Sequence, residues 1–246
     1  MSPADRERHI AYYDRTARAA YSHCCSILIG CSRRPCTQAN SATGVFVLVN
    51  EHHYLLTASH VIDGFANKLA KDPPAHFQVG NLVVNPLNRL VFQDSKRDLA
   101  VIAIDNREVA DIVHIPYRPV DVWPPAMPNA EAFVQLTGFA AANRINHEPD
   151  RIESFSLHMT GHVMPANDGV FFVRIERDGI ATDEVHLAVP PGESLGGMSG
   201  GPVMLFFAEP LPLVGIISAM SELMDSIRVS ALTDLHLPHR GTAHFI

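Results

Sequence analysis

Five prolines fall within thirteen residues: Pro116, Pro119, Pro124, Pro125 and Pro128. Proline fixes φ and removes an amide donor, so neither a helix nor a central strand continues through such a run. The run is read as a linker over 116–130, and the chain on either side of it has the same texture. Upstream, short runs rich in Val, Ile, Leu and Phe occupy 26–30, 44–49, 54–57, 77–84, 90–93 and 99–104. Turn residues such as Asn50-Glu51, Asp72-Pro73-Pro74 and Asn85-Pro86 part them. Downstream, similar runs occupy 132–136, 155–160, 170–175, 184–189, 203–207, 213–218 and 227–230. Many short strands at close spacing predict an all-β barrel or sandwich on each side of the linker.

One segment departs from that texture. Ile10, Tyr13, Ala17 and Tyr21 recur at three- and four-residue intervals among charged residues, which predicts an amphipathic helix over 4–21. The expected organisation is a helical extension (1–23), a first β unit (24–115), the proline-rich linker (116–130) and a second β unit (131–246). The tail 232–246, with His236, Pro238, His239 and His244, has no assignable pattern.

Of the 246 residues 47% are hydrophobic and 18% charged, an ordinary globular composition with enough chain for a core. The formal charge of −7, with no basic block longer than Arg33-Arg34, excludes broad phosphate neutralisation. No nucleic-acid partner is expected. No stretch of about 18 apolar residues is present, so no membrane partner is expected either. Charges stand at the N-terminus where a signal peptide would be apolar, and Cys24, Cys25, Cys31 and Cys36 lie together instead of stapling distant parts of the chain. Both features point to a cytoplasmic location. The C-C-x5-C-x4-C spacing beside His23 does not match the paired spacing of structural zinc sites, so the cysteines read as a thiol cluster. No metal and no cofactor are expected.

Three segments carry chemistry. In Gly196-Gly197-Met198-Ser199-Gly200-Gly201-Pro202 a serine is bracketed by glycines. Glycines let a backbone turn tightly and converge its N–H groups on a developing negative charge while leaving a hydroxyl exposed. In the stretch 42–62, two apolar runs and a polar turn lead to Thr57-Ala58-Ser59-His60. His60, following small residues at a strand end, is the best general-base candidate, whereas His52 and His53 suit a solvated turn. In Lys96-Arg97-Asp98-Leu99, an acid directly before an apolar strand can sit at a barrel edge, accept an imidazole N–H and fix its tautomer. Asp94 and Asp105 compete for that role. Asp94 lies further into the polar turn and Asp105 at the far end of the strand, so Asp98 fits better.

Together the three segments resemble the signature motifs of trypsin-like serine peptidases, in that family's order of His, Asp, Ser. The resemblance covers roughly 24–232 and is specific only at the motifs. It implies two antiparallel six-stranded β-barrels of chymotrypsin type with the active site between them. It further implies Ser199 as nucleophile, His60 as general base and Asp98 as its orienting acid, with the N–H groups of Gly197 and Ser199 as oxyanion hole. The strand through Ser218, Ala219 and Met220 would line the specificity pocket. Glu193, six residues before Ser199, stands where lysine- and arginine-cleaving members place an acid, although Met220 occupies a position that open pockets fill with glycine. The lack of cysteines near His60 and Ser199 resembles the bacterial branch. Met198 replaces the aspartate that pairs with a new N-terminus in animal digestive enzymes, which excludes activation by that route.

The function implied is a serine endopeptidase acting on a protein or peptide substrate through an acyl-enzyme. Two rivals share the same residues: a latent or inactive module that binds extended peptides by strand addition, and an esterase-type acyl hydrolase. An activating protein partner is a further expectation, with the helix at 4–21 as its contact.

Overall fold

The computed structural model describes residues 3–30, 40–109, 120, 122–148, 151–164, 168–175, 181–182, 196–206, 211–221 and 226–237. The expected strand at 184–189, Glu193, Cys31, Cys36 and most of 110–121 lie outside these residues. No helix among those described is long and apolar enough to cross a membrane.

The predicted N-terminal helix is present as α1 (Pro3–Tyr21). Seven strands come after it: β1 (Cys24–Ile29), β2 (Asn40–Val49), β3 (His52–Thr57), β4 (Phe77–Val79), β5 (Leu82–Val84), β6 (Leu90–Asp94) and β7 (Leu99–Ile104). They form one antiparallel sheet in the order β5-β4-β1-β2-β3-β7-β6, a half-barrel curled over its own core. The run at 77–84, read as one strand, is a hairpin. Gly80 at φ 56° turns the chain between β4 and β5, a conformation open to glycine without steric cost.

A second helix, α2 (Ser59–Lys71), was not expected. Its apolar residues Val61, Ile62, Phe65 and Leu69 have helical spacing, and Val61, Ile62 and Phe65 are buried against the half-barrel.

The second unit comprises β8 (Phe133–Glu148), β9 (Arg151–Met164), β10 (Val170–Ile175), β11 (Ala181–Thr182), β12 (Pro202–Leu205), β13 (Leu213–Ser221) and β14 (Ser226–Ala231). Its order is β10-β14-β13-β12-β8-β9-β11, and β10 also pairs with β9. That last pairing closes a six-stranded antiparallel barrel and leaves β11 as an appendage on β9. The molecule is thus all-β with two barrel-type units and an N-terminal helix, as the sequence predicts, with the first unit a seven-stranded half-barrel where a closed six-stranded barrel was expected.

A third apolar layer joins the units. Val45, Val47, Val49, Tyr54, Leu56, Leu99 and Val101 of the first unit meet Met204, Leu213, Ile216, Leu232 and Leu235 of the second. This explains why β2 reads as a nearly unbroken apolar run. Phe46 faces the half-barrel core while its neighbours face the other unit, so both faces are buried. The proline-rich linker contributes Trp123, whose indole N–H donates to the Leu235 carbonyl at 2.8 Å.

Candidate active site

His60 is the second residue of α2, placed there because β3 ends at Thr57 and the helix begins at Ser59. The first N–H groups of a helix have no partner within it. The backbone N–H of His60 donates to Asp98 Oδ1 at 2.9 Å, and the ring Nδ1 lies 2.8 Å from Asp98 Oδ2. An ionised carboxylate only accepts, so Nδ1 carries the proton and Nε2 is left as the basic nitrogen. The His60 side chain is 55% exposed and that of Asp98 only 17%, so the pair is open on the histidine side.

The charge states have their cause in this contact. The hydrogen bond to Asp98 is the main reason that the His60 imidazole is raised above the ordinary histidine value. Burial opposes the rise, and the charges of Asp98 and Asp63 add to it. Burial alone would raise the Asp98 carboxyl. The ring and backbone bonds from His60, with the charges of His60 and Arg228, outweigh burial and hold it below the usual carboxylate range.

Asp98 has φ 62°, the left-handed region that residues other than glycine seldom adopt. The turn before it is fixed from its own unit by Asp94. Asp94 Oδ1 accepts from the N–H groups of Lys96 (2.9 Å) and Arg97 (3.1 Å), and Oδ2 accepts from Arg97 Nε at 2.8 Å. Asp94 therefore shapes the turn, and Asp98 is the acid that reaches the histidine. Asp105, the other competitor, binds Arg107 at the far end of β7.

Ser199 sits in the loop 196–201, where all the carbonyls except that of Gly200 accept a hydrogen bond from a described neighbour. Gly196 O accepts from Ala141 N (2.6 Å), Met198 O from Gly201 N (2.9 Å), Ser199 O from Thr43 N (2.9 Å) and Gly201 O from Ile217 N (2.8 Å). Gly197 O accepts from the Thr43 hydroxyl at 2.8 Å. A trans peptide points its N–H opposite its carbonyl. With Gly196 O turned to Ala141 and Met198 O to Gly201, the N–H groups of Gly197 and Ser199 point away from those partners. Among the described residues neither N–H donates a hydrogen bond. Gly197 and Gly200 have φ 96° and 90°, and a Cβ at Gly200 would lie 2.0 Å from the Thr43 carbonyl oxygen. That close approach holds Ser199 against β2 and β3, because the same Cβ would also meet Thr57, three residues before His60. No hydrogen bond links the Ser199 hydroxyl to His60 among the described residues. Such bonds are often loose before substrate arrives.

Of the remaining expected residues, Ser218 is buried on β13, its hydroxyl donating to Arg228 O at 3.1 Å. Ala219 is exposed, Met220 continues the strand, and Glu193 is outside the described residues. Of the cysteines, Cys25 is buried, and burial pushes its thiol up to about 12, which disfavours the reactive thiolate at neutral pH. His23 is buried with Nδ1 3.1 Å from the Phe46 carbonyl.

Sequence reading missed Thr43 and Arg228. Thr43, fully buried, also accepts from Phe139 N at 2.9 Å, so one hydroxyl ties β2, β8 and the serine loop together. The available signal was a hydroxyl within the apolar run of β2. For Arg228 it was a lone cation inside Ile227-Arg228-Val229.

The fold is of the chymotrypsin-like two-barrel type. No protein-family model and no curated protein matches the chain. Among solved structures it is similar to the active form of the Rv3671c protease from M. tuberculosis, at 15% identity over 94% of this chain and 82% of that one, with a TM-score of 0.48. It is also similar to AL20, a thermostable serine protease from an extremophilic microorganism, at 15% identity over 87% and 93%, with a TM-score of 0.49. The serine protease of human pathogenic astrovirus matches at 13% identity over 88% and 94%, with a TM-score of 0.46. At these identities and scores the likenesses assign no activity to this chain.

Proposed function

We propose that the protein is a serine endopeptidase in which Ser199 attacks the scissile carbonyl, His60 accepts its proton and Asp98 stabilises the resulting imidazolium. The observation that carries this reading is the double contact of Asp98 with the ring and backbone of His60, at 2.8 and 2.9 Å. It fixes the tautomer that leaves Nε2 basic. The unengaged N–H groups of Gly197 and Ser199 are suited to the oxyanion, where each such donor contributes about 3–4 kcal/mol of transition-state stabilisation. His60 would return that proton to the leaving amine, and the acyl-enzyme formed on Ser199 Oγ would then be hydrolysed by water, with His60 again as base.

Endopeptidase is favoured over esterase because β13 runs on past its pairing with β12, which ends at Ile216, so that 218–221 keeps an edge away from β14, unoccupied by any described strand, along which a peptide backbone can pair. Incubation with an unfolded protein and, separately, with p-nitrophenyl acetate tests the choice. Internal cleavage of the protein, lost in Ser199→Ala, is the expected result. Ester turnover with the protein left intact would contradict it. An activating protein partner at α1 belongs to the same proposal, since α1 packs onto β8 and Tyr21 lies edge-on to Phe139. Phe139 in turn has its carbonyl close to Gly197.

A further inference from the structure

Arg228 lies on β14 in the second unit, yet its guanidinium ends on the turn that carries Asp98 in the first. Nη2 donates to the Lys96 carbonyl at 2.6 Å and Nη1 to the Arg97 carbonyl at 3.2 Å. Nη1 also donates to the Ser218 hydroxyl at 3.0 Å, and that hydroxyl donates back to Arg228 O. Ser230, two residues on along the same strand face, donates its hydroxyl to the Arg97 carbonyl as well. The two carbonyls immediately before Asp98 are therefore both held by side chains of the opposite unit. We propose that Arg228, assisted by Ser230, is a positioning residue that sets the Asp98 carboxylate against His60 from across the seam between the units.

The geometry gives the clamp something to do. Asp98 occupies a left-handed conformation that is strained for a residue with a side chain and persists only when its surroundings over-determine it. Asp94 fixes the amide side of the preceding turn, and Arg228 fixes the carbonyl side. A planar guanidinium with forked donors can span two successive carbonyls and a hydroxyl at once, and a lysine ammonium on its flexible stem cannot reproduce that fork. The arrangement also couples the two halves of the site. Ser218 lies on β13, the strand that supplies Ile217 to hold Gly200 and Gly201 in the serine loop. One cation therefore sits between the turn of the acid and the strand that braces the nucleophile. Its loss need not unfold the protein. It borders a cleft of about 620 Å³, lined also by Asp94, Lys96, Asp168 and Asp234, through which water can reach freed carbonyls.

The inference rests on the proposed roles of His60 and Asp98, so its test includes a readout that does not need turnover. His60 in the full chain is titrated by NMR in the wild type, Arg228→Lys, Arg228→Met and Ser230→Ala, with thermal unfolding as a check of folding. The charges facing the pair are Asp63 of α2 and Arg228 of β14, while Arg97 is engaged by Asp94. Arg228→Lys keeps the positive charge and removes the fork. Its His60 midpoint is expected to fall towards the ordinary histidine value as the Asp98 bond loosens. Removing the charge in Arg228→Met acts in the opposite direction, so its midpoint should fall less than that of the lysine variant. Ser230→Ala, which removes only one hydroxyl, should give a smaller fall than Arg228→Lys. Labelling of Ser199 by a fluorophosphonate should slow about 10²-fold in Arg228→Lys, the scale of a misplaced catalytic group. A folded Arg228→Lys whose His60 titrates as in the wild type overturns the proposal. If the arginine variants do not fold, an unchanged midpoint in Ser230→Ala overturns it instead. A wild type that never labels contradicts the hydrolase reading, whereas the titrations judge the clamp in either case.

Discussion

Asp98 meets three demands at once: it accepts from the first turn of α2, accepts from the imidazole, and occupies a backbone conformation unusual for an aspartate. The consequence for pH runs through both partners. The folded His60 midpoint is raised, so its contact stabilises the protein fully below the ordinary value of about 6.5 and is lost as pH rises through the folded midpoint. The Asp98 carboxyl is depressed, so its contribution is present above about 3.9 and is lost as pH falls through its folded value. A general base works when neutral. The acid limb of kcat/KM should therefore lie above the ordinary histidine value in the wild type and move down in Asp98→Asn, which removes the chief cause of the rise. The same change should cost about 10⁴-fold in kcat, the loss found for the corresponding change in the Ser-His-Asp template. A pH–rate profile of both proteins checks this, and an unmoved limb would mean that Asp98 does not govern His60.

At the scale of elements, the serine loop is held less by itself than by its neighbours. Four of its carbonyls are bonded to β2, β8 and β13, and the Thr43 hydroxyl is the only side chain among those donors. Thr43→Val keeps the shape but strands the Phe139 N–H and the Gly197 carbonyl in the interior. Each unpaired buried group costs about 1–3 kcal/mol. The variant should lose a few kcal/mol in urea unfolding and much of kcat with little change in KM, whereas Thr43→Ser should retain both. Equal activity in Thr43→Val would show that the loop keeps its form without the hydroxyl. The strands and the three motif segments were legible because alternating and continuous apolar runs report burial directly, and glycines flag the tight loop. α2 was not legible, although Val61, Ile62, Phe65 and Leu69 have helical spacing. Gly64 interrupts its interior and no acid or side-chain cap marks its first turn, so the usual signals of a helix start are missing. The β4–β5 hairpin was hidden because its turn needs only Gly80 and Asn81. Thr43 and Arg228 stand out in the sequence only as polar residues within apolar runs, and their roles were not legible because the Gly197 carbonyl and the Lys96 and Arg97 carbonyls that they bind lie in the opposite unit.

At the scale of the molecule, two barrel-type units have separate cores and a shared apolar seam, and the residues of the proposed triad are distributed across that seam. His60 and Asp98 come from the first unit and Ser199 from the second, so the proposed site requires that the units stay docked. The docking is apolar in the middle, through Val47, Leu56, Ile216 and Leu232, and polar at the site, through Thr43 on one flank and Arg228 on the other. Activation of Ser199 is the property that this whole arrangement is proposed to produce, and reaction with a fluorophosphonate measures it without knowledge of the substrate. The purified protein should gain a single adduct, mapped by mass spectrometry to Ser199, and both Ser199→Ala and His60→Ala should remain unlabelled. A folded wild type that takes up no probe, or an adduct that persists when His60 is replaced by alanine, would contradict the account.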